Sequence, residues 1–340
     1  MRRGTFIIAG ILAALMLGGA FRGDLFSQLA SPTADDSSPT IKVDVSVVNI
    51  LASVRDNKNR QVATLNKEDF EVREDGKPQK IIYFTRETTL PLTLGLLVDS
   101  SVSQESLIGR EQEAAGSFFR QVLRENDMAF VISFDTAVDL LQDVTSTIDL
   151  LQNSLGTIRV HGAHGPAPDP HIPLPDLPGG THLYDAVYLG ATDILQKEAG
   201  RKAMILITDG QDQGSKLNLD RALEAAQRTD SIIYGILFVD RAFYAGGWYG
   251  GDDVLRKLSE DTGGRVFKAE NDRQLGDAFQ QISDELRSQY SIGYSPTNAV
   301  HDGSYRRVDV RIRQGGLRVQ ARKGYYAPQD SYPAIRKQSK

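Results

Sequence analysis

The segment LTLGLLVDSSVS, residues 92–103, decides the fold, because an apolar run stops there at a cluster of oxygen-bearing side chains. The first eight residues are almost continuously apolar, which is typical of a parallel strand buried on both faces. Asp99, Ser101 and Ser103 follow at alternate positions where this strand ends. Alternate side chains can converge on one point, so we expect a binding site at this strand end.

Three further apolar runs follow the first along the chain, and they are separated by stretches with helical periodicity. The runs are MAFVISFD (128–135), KAMILITD (202–209) and SIIYGILFVD (231–240). The helical stretches are 103–123, 182–199, 218–229 and 273–289, and FDTAVDLLQDV (134–144) predicts a hairpin with an antiparallel edge strand. This alternation predicts an α/β fold over residues 90–288, with a doubly wound, mostly parallel sheet. Such sheets bind ligands at the carboxyl ends of their strands.

Short β-rich segments lie on both sides of this α/β region. Residues 41–89 contain three or four of them, and residues 289–327 contain a matching set with turns at Asp302-Gly303 and Gly315-Gly316. Neither set has enough strands to bury two sheet faces alone. We therefore predict one β-sandwich built from N- and C-terminal strands, with the α/β region inserted between them.

Two more oxygen donors are expected at the edge of the sheet that carries Asp99. Asp209 ends the KAMILITD strand and Gly210 permits a tight turn after it, while Thr181 follows two glycines just before a predicted helix. Two carboxylates and three hydroxyls are hard ligands that suit Mg²⁺, Mn²⁺ or Ca²⁺ better than Zn²⁺ or Cu²⁺. The alternative is that Ser101 and Ser103 only cap the following helix, and that the two Asp side chains are solvated.

The pattern Asp99-x-Ser101-x-Ser103, then Thr181, then Asp209 resembles the metal-ion-dependent adhesion site (MIDAS) of the von Willebrand factor type A (VWA) domain. The resemblance covers about residues 90–285. It implies that the three hydroxyls bind the metal, that the Asp residues bind it directly or through water, and that a partner protein completes the coordination with a carboxylate. The flanking segments LNKEDFEVREDGKPQKIIYF and VQARKGYYAP further resemble a group of exported, VWA-related bacterial proteins, many of them from acidobacteria.

The N-terminus indicates export. Arg2 and Arg3 precede an uncharged, mostly apolar run from Phe6 to Phe21, which is the layout of a signal peptide over residues 1–21. The alternative is an uncleaved signal anchor, which would be the protein's one attachment to a membrane. Residues 22–40 are expected to form a disordered linker and residues 328–340 a disordered tail. The predicted location is extracytoplasmic: the periplasm, the cell surface or the medium.

Composition excludes several classes of function. The chain has 340 residues and no cysteine, which excludes thiol catalysis, disulfides and Cys-ligated zinc. Because 39 basic residues face 44 acidic ones, with a formal net charge of −5, no general positive field exists to bind nucleic acid. Two loops remain without an assigned role. One is the His- and Pro-rich stretch 161–180, and the other contains Trp248, the only tryptophan.

These observations predict a non-catalytic, divalent-metal-dependent protein-binding module of the adhesion type. A metal-assisted hydrolase is one alternative, but no second Asp stands two residues after Asp99 to act as a general acid or base. The other alternative is a structural protein of envelope assembly with a vestigial metal site. Enzyme assays would separate the hydrolase from the other two, and partner capture with and without chelator would separate those.

Overall fold

A six-stranded sheet and two smaller antiparallel sheets make up the protein, as described by a computed structural model for residues 47–87, 90–160, 180–239 and 251–329. The strands are β1 (Val48–Asp56), β2 (Phe70–Glu74), β3 (Lys77–Gln79), β4 (Ile81–Glu87), β5 (Leu92–Asp99), β6 (Met128–Phe134), β7 (Val138–Thr145), β8 (Arg201–Thr208), β9 (Ser231–Phe238), β10 (Val266–Ala269), β11 (Gln289–Tyr294), β12 (Tyr305–Ile312), β13 (Leu317–Ala321) and β14 (Gly324–Tyr326). The helices are α1 (Ile108–Val122), α2 (Ile148–Leu155), α3 (Leu183–Leu189), α4 (Leu219–Arg228), α5 (Asp252–Thr262) and α6 (Asp272–Arg287).

The central sheet has the strand order β10-β9-β8-β5-β6-β7. Its neighbouring strands run parallel except for β7, which pairs antiparallel with β6 at the edge. Chain order reverses beside β5, because β6 lies on one side of it and β8 on the other. The predicted doubly wound, mostly parallel sheet and its antiparallel edge strand are confirmed. A ligand crevice is expected where β5 and β8 end side by side.

Helices cover both faces of this sheet. Leu92, Leu94 and Leu96 of β5 pack with α1, α2 and α6 on one face, whereas Leu97 packs with α3, α4 and α5 on the other. All residues of β5 are buried, which explains why its sequence lacks a polar alternation.

Four helical stretches differ from the sequence prediction, and one of them is α2, which the sequence analysis did not assign. Helix α1 begins at Ile108 rather than near residue 103, because a short 3₁₀ turn (Val102–Gln104) first carries the chain away from the strand end. Helix α3 ends at Leu189 and continues as a wide π-helical turn (Gly190–Ile194). Helix α5 contains the segment DDVLRKLSEDT, which the sequence analysis did not assign.

The two smaller sheets have the orders β13-β1-β11-β4 and β14-β12-β2-β3. Each combines strands from before and after the α/β region, and a shared apolar core that includes Ile50, Phe70, Ile292 and Val308 joins them. The shared β-sandwich is therefore confirmed. Its interior also holds a buried carboxylate, Glu74, which accepts hydrogen bonds from two tyrosine hydroxyls and lies 3.6 Å from the Arg306 guanidinium.

The chain leaves the sandwich and returns to it through neighbouring strands. Strand β4 ends where β11 begins, with Glu87 paired to Gln289, so the α/β region starts and finishes at one place. The predicted segments 1–21 and 22–40 lie outside the described residues, as do 161–179, 240–250 with Trp248, and the tail after residue 329. In the part of the chain that the structure describes, no helix has both the length and the apolar character to cross a membrane.

Candidate metal site

The two predicted carboxylates lie at the ends of neighbouring strands. Asp99 is the last residue of β5, and Asp209 directly follows β8, whose Ile207 pairs with Val98 of β5. Both side chains are buried, with relative exposures of 0% and 2%. The turn after β8 requires Gly210, which has a φ of +81° and whose Cβ, if present, would lie 2.4 Å from the carbonyl oxygen of Gly251.

A chain of hydrogen bonds joins the predicted hydroxyls to Asp209. The Ser101 and Ser103 hydroxyls lie 3.1 Å apart, and the Ser103 hydroxyl donates to Oδ2 of Asp209 at 2.7 Å. The backbone N–H of Ser101 donates to Oδ1 of Asp99 at 2.9 Å. The structure therefore brings four of the five predicted ligands into one hydrogen-bonded group at the carboxyl edge of the sheet.

The surroundings of Asp99 disfavour the negative charge of its carboxylate. Burial, followed by the negative charge of Asp209, raises the pKa of Asp99 to about 7. Hydrogen bonds act in the opposite direction, including one from the Thr208 hydroxyl to Oδ2 of Asp99 at 2.5 Å. Two carboxylates that repel each other in a buried place are the arrangement that a bound cation would stabilise.

Thr181 lies in the loop that precedes α3, where it is 7% exposed. Its backbone exchanges two hydrogen bonds of 2.9 Å with Gln213, which belongs to the turn that follows Asp209. This bridge places Thr181 at the same edge of the sheet as the hydrogen-bonded group. Its inclusion among the ligands stays a prediction.

A neighbouring carboxylate, Asp135, holds three loops of this edge in place. Its Oδ2 accepts a hydrogen bond from the Ser100 hydroxyl at 3.1 Å, and its Oδ1 accepts one from the Ala137 N–H at 3.0 Å. Its backbone carbonyl accepts from the N–H of His182 at 2.8 Å, next to Thr181. The Ser100 hydroxyl therefore points to Asp135, whereas the Ser101 and Ser103 hydroxyls lie together and the Ser103 hydroxyl points to Asp209.

Sequence reasoning missed four residues of this neighbourhood: Thr208, Asp135, Gln104 and Glu111. The signal for Thr208 and Asp135 was present, because each lies at the end of a predicted buried strand beside the chosen positions. Gln104 and Glu111 carried no such signal, since their burial depends on how α1 packs against the sheet.

The donor set fits a hard divalent cation. The hydrogen-bonded group contains two carboxylates and two hydroxyls, and the Thr181 hydroxyl is predicted as a fifth donor. Among the described residues, no group of three His, Asp or Glu side chains offers another metal site. A site that depends so strongly on neutral hydroxyls is suited to oxygen-preferring ions such as Mg²⁺.

One family model matches a range of residues that includes part of the candidate metal site. The family model of the von Willebrand factor type A domain matches residues 173–281. Residues 173–281 are therefore similar to a VWA domain. The matched range includes Thr181 and Asp209 and begins after Asp99, Ser101 and Ser103. The search of curated proteins finds none that matches this sequence.

Solved structures with a similar fold have low sequence identity to this chain. Proximal thread matrix protein 1 from the mussel byssus is 11% identical, with a TM-score of 0.48 over 63% of this chain and 51% of that chain. The present chain thus spans about half the length of the mussel protein. Another structure of that protein, at 12% identity and a TM-score of 0.48 over 63% of this chain and 49% of that one, is described as having a zinc-occupied MIDAS motif. A von Willebrand factor type A protein from Catenulispora acidiphila is 12% identical, with a TM-score of 0.47 over 85% of this chain and 76% of its own.

Proposed function

We propose that this protein is an exported, non-catalytic module that binds a partner protein through a divalent metal ion, Mg²⁺ in the first instance. Its metal ligands would be Asp99, Ser101, Ser103, Thr181 and Asp209. The observation that carries the proposal is the hydrogen-bonded group of Ser101, Ser103 and Asp209 beside the buried Asp99, at the carboxyl edge of the VWA sheet. A VWA domain is commonly a MIDAS-type interaction module.

Each residue has a distinct part in this proposal. Asp99 and Asp209 supply the negative charge that draws in a cation, and the hydroxyls of Ser101 and Ser103 are already held near Asp209. Thr208 keeps the Asp99 carboxylate oriented through its 2.5 Å hydrogen bond. The bound ion would act as a Lewis acid that accepts one carboxylate oxygen from the partner.

We also propose that this site does not catalyse a reaction. Two residues after Asp99 stands Ser101, whose hydroxyl is occupied with Ser103, so this position offers no carboxylate for proton transfer. We therefore propose that the site holds an anionic side chain of the partner and does not act as a hydrolase.

Isothermal titration calorimetry on chelator-treated protein tests the metal site. Wild type should bind Mg²⁺ or Mn²⁺ in the micromolar-to-millimolar range, because hydroxyl ligands add no charge. Asp99→Asn should abolish this heat, whereas Asp143→Asn, which removes an exposed carboxylate on β7, should leave it unchanged. Equal heats in wild type and Asp99→Asn would remove the assigned site.

Partner binding is tested by capture from an envelope extract of the source organism, in Mg²⁺ and in EDTA. A specific partner should be retained by wild type and Asp143→Asn in Mg²⁺ and lost with EDTA or with Asp99→Asn. Retention in EDTA would favour the structural role, and metal-dependent phosphatase or peptidase activity of the pure protein would favour the hydrolase.

Export is tested separately by expressing the full chain in a bacterium, fractionating the cells and sequencing the mature N-terminus. Cleavage near residue 21 and recovery outside the cytoplasm are expected. Cytoplasmic protein that retains Met1 would contradict this part of the proposal.

A further inference from the structure

Glu111 is a third buried carboxyl group, and the charges of Asp99 and Asp209 act on it. Glu111 is in the first turn of α1 and is 0% exposed. Within the described part of the chain, its Oε2 atom is buried and has no hydrogen-bond partner. A buried polar atom without a partner costs free energy, so the presence of Glu111 here calls for a compensating role.

Gln104 connects Glu111 to the predicted hydroxyl ligands. This residue directly follows Ser103, is fully buried, and its backbone N–H donates to the carbonyl oxygen of Ser101 at 2.9 Å. With its amide nitrogen turned inward, Gln104 donates to Oε1 of Glu111 and to the carbonyl oxygen of Phe238, each at 3.3 Å. Through these two hydrogen bonds, Glu111 of α1 and Phe238 at the end of β9 hold the segment that carries Ser101 and Ser103.

The charges around Glu111 agree with this placement. Burial, then the negative charge of Asp99, raises the pKa of Glu111 well above its ordinary value, and Asp209 contributes in the same direction. Arg110 acts oppositely, but its guanidinium lies 3.3 Å from Asp272 and over the ring of Phe238. Burial and the two negative charges favour the neutral form of the Glu111 carboxyl, and among the described residues Glu111 does not form a group of metal ligands with Asp99 and Asp209.

We propose that Glu111 is a positioning residue of the metal site: it holds the Ser101–Ser103 segment in place by accepting a hydrogen bond from the Gln104 amide. This inference rests on the proposed function, because it concerns the same site. Residues just outside a metal's direct ligands commonly change its affinity by about 10- to 100-fold when they are replaced.

The test compares Glu111→Leu with Glu111→Gln, which keeps an acceptor oxygen for Gln104, and with Glu113→Gln, an exposed position on the same helix. Glu111→Leu removes the acceptor of the Gln104 hydrogen bond, so it should weaken Mg²⁺ binding at least about tenfold in calorimetry, whereas Glu111→Gln should stay close to wild type. The melting temperature of chelated Glu111→Leu should stay near that of chelated wild type, because the change removes an unpartnered carboxyl oxygen together with the hydrogen-bond acceptor. Glu113→Gln should match wild type in both measurements.

A second variant, Gln104→Leu, removes the connecting amide and should also weaken Mg²⁺ binding. The electron paramagnetic resonance spectrum of bound Mn²⁺ gives an independent measure, and Glu111→Leu and Gln104→Leu should both release Mn²⁺ at concentrations where wild type retains it. Unchanged affinity in Glu111→Leu, with Asp99→Asn still inactive in binding, would overturn this inference alone. Absence of binding in wild type would overturn the proposed function and this inference together.

Discussion

Ser100 and Ser103 allow a sharp test of the metal site, because they lie on one loop and differ in where their hydroxyls point. The Ser103 hydroxyl donates to Asp209 at 2.7 Å, and the Ser100 hydroxyl donates to Asp135 at 3.1 Å. Replacing either serine by alanine removes one hydrogen bond to a carboxylate. Only Ser103→Ala also removes a predicted metal ligand.

The cost to the metal-free protein should be similar in the two variants. A hydrogen bond to a charged group contributes about 1.5–3 kcal/mol, and the lower end applies to the half-buried Ser103 and to the longer bond of Ser100. A loss of about 1.5 kcal/mol in the free energy of unfolding lowers the melting temperature by about 3 °C in a chain of this size. Melting in EDTA should therefore not distinguish the variants.

Magnesium should distinguish them. A ligand present at about 100 times its Kd stabilises the folded state by about 2.7 kcal/mol, which corresponds to a rise of about 5 °C. Wild type and Ser100→Ala should show this rise. If Ser103→Ala weakens binding tenfold, the same Mg²⁺ concentration gives about 1.4 kcal/mol and a rise of only about 3 °C.

Differential scanning fluorimetry in EDTA and across a Mg²⁺ titration measures both quantities on the same samples, and Ca²⁺ and Mn²⁺ titrations extend the comparison. Equal magnesium-induced rises in Ser103→Ala and Ser100→Ala would refute the assignment of Ser103 as a ligand. A larger loss of the response in Ser100→Ala would place the metal near Asp135 instead.

Three further outcomes are expected. Thr181→Ala should change the melting temperature in EDTA by no more than about 2 °C, because the backbone hydrogen bonds between Thr181 and Gln213 remain. The same change should weaken Mg²⁺ binding in calorimetry, and a collapse of the fold would mean that Thr181 is a core residue. Gly210→Ala should cost about 1–3 kcal/mol in denaturant unfolding, since its Cβ would lie 2.4 Å from the Gly251 carbonyl, whereas Gly276→Ala, with open space in α6, should stabilise. The isolated 90–288 segment should stay monomeric in size-exclusion chromatography and bind Mg²⁺, while the same fragment extended to the C-terminus should aggregate, because β11 and β12 lose their partner strands. A monomeric extended fragment would contradict that dependence.

Local patterns in the sequence were sufficient for five of the six strands of the central sheet, whereas β10 (Val266–Ala269) was not assigned. Continuous apolar runs such as LTLGLLVD can be buried on both faces only in a covered parallel sheet, and β5 is buried at every residue. The same reasoning applied to Asp99 and Asp209, because parallel strands bring their carboxyl ends to one edge. Both residues therefore lie where the sequence predicted them.

Helix boundaries and irregular turns were less predictable. The 3₁₀ turn at Val102–Gln104 delays α1 until Ile108, and the π turn after Leu189 widens a stretch whose periodicity looks regularly helical. Packing against the sheet decides such details: a Cβ at Gly190, for example, would lie 3.0 Å from the sulfur of Met204. Nothing in residues 183–194 alone encodes that contact.

The sequence by itself determined the alternation of buried strands with helices, the shared β-sandwich and the edge of the sheet at which the oxygen donors meet, because these follow from periodicity, from the number of strands and from the direction of parallel strands. Only the tertiary structure decided which hydroxyl faces which carboxylate. Ser100 and Ser101 are neighbours of the same type, yet one points to Asp135 and the other to Ser103. The burial of Glu111 likewise arises from the packing of α1 against the sheet, a long-range contact that no local pattern specifies.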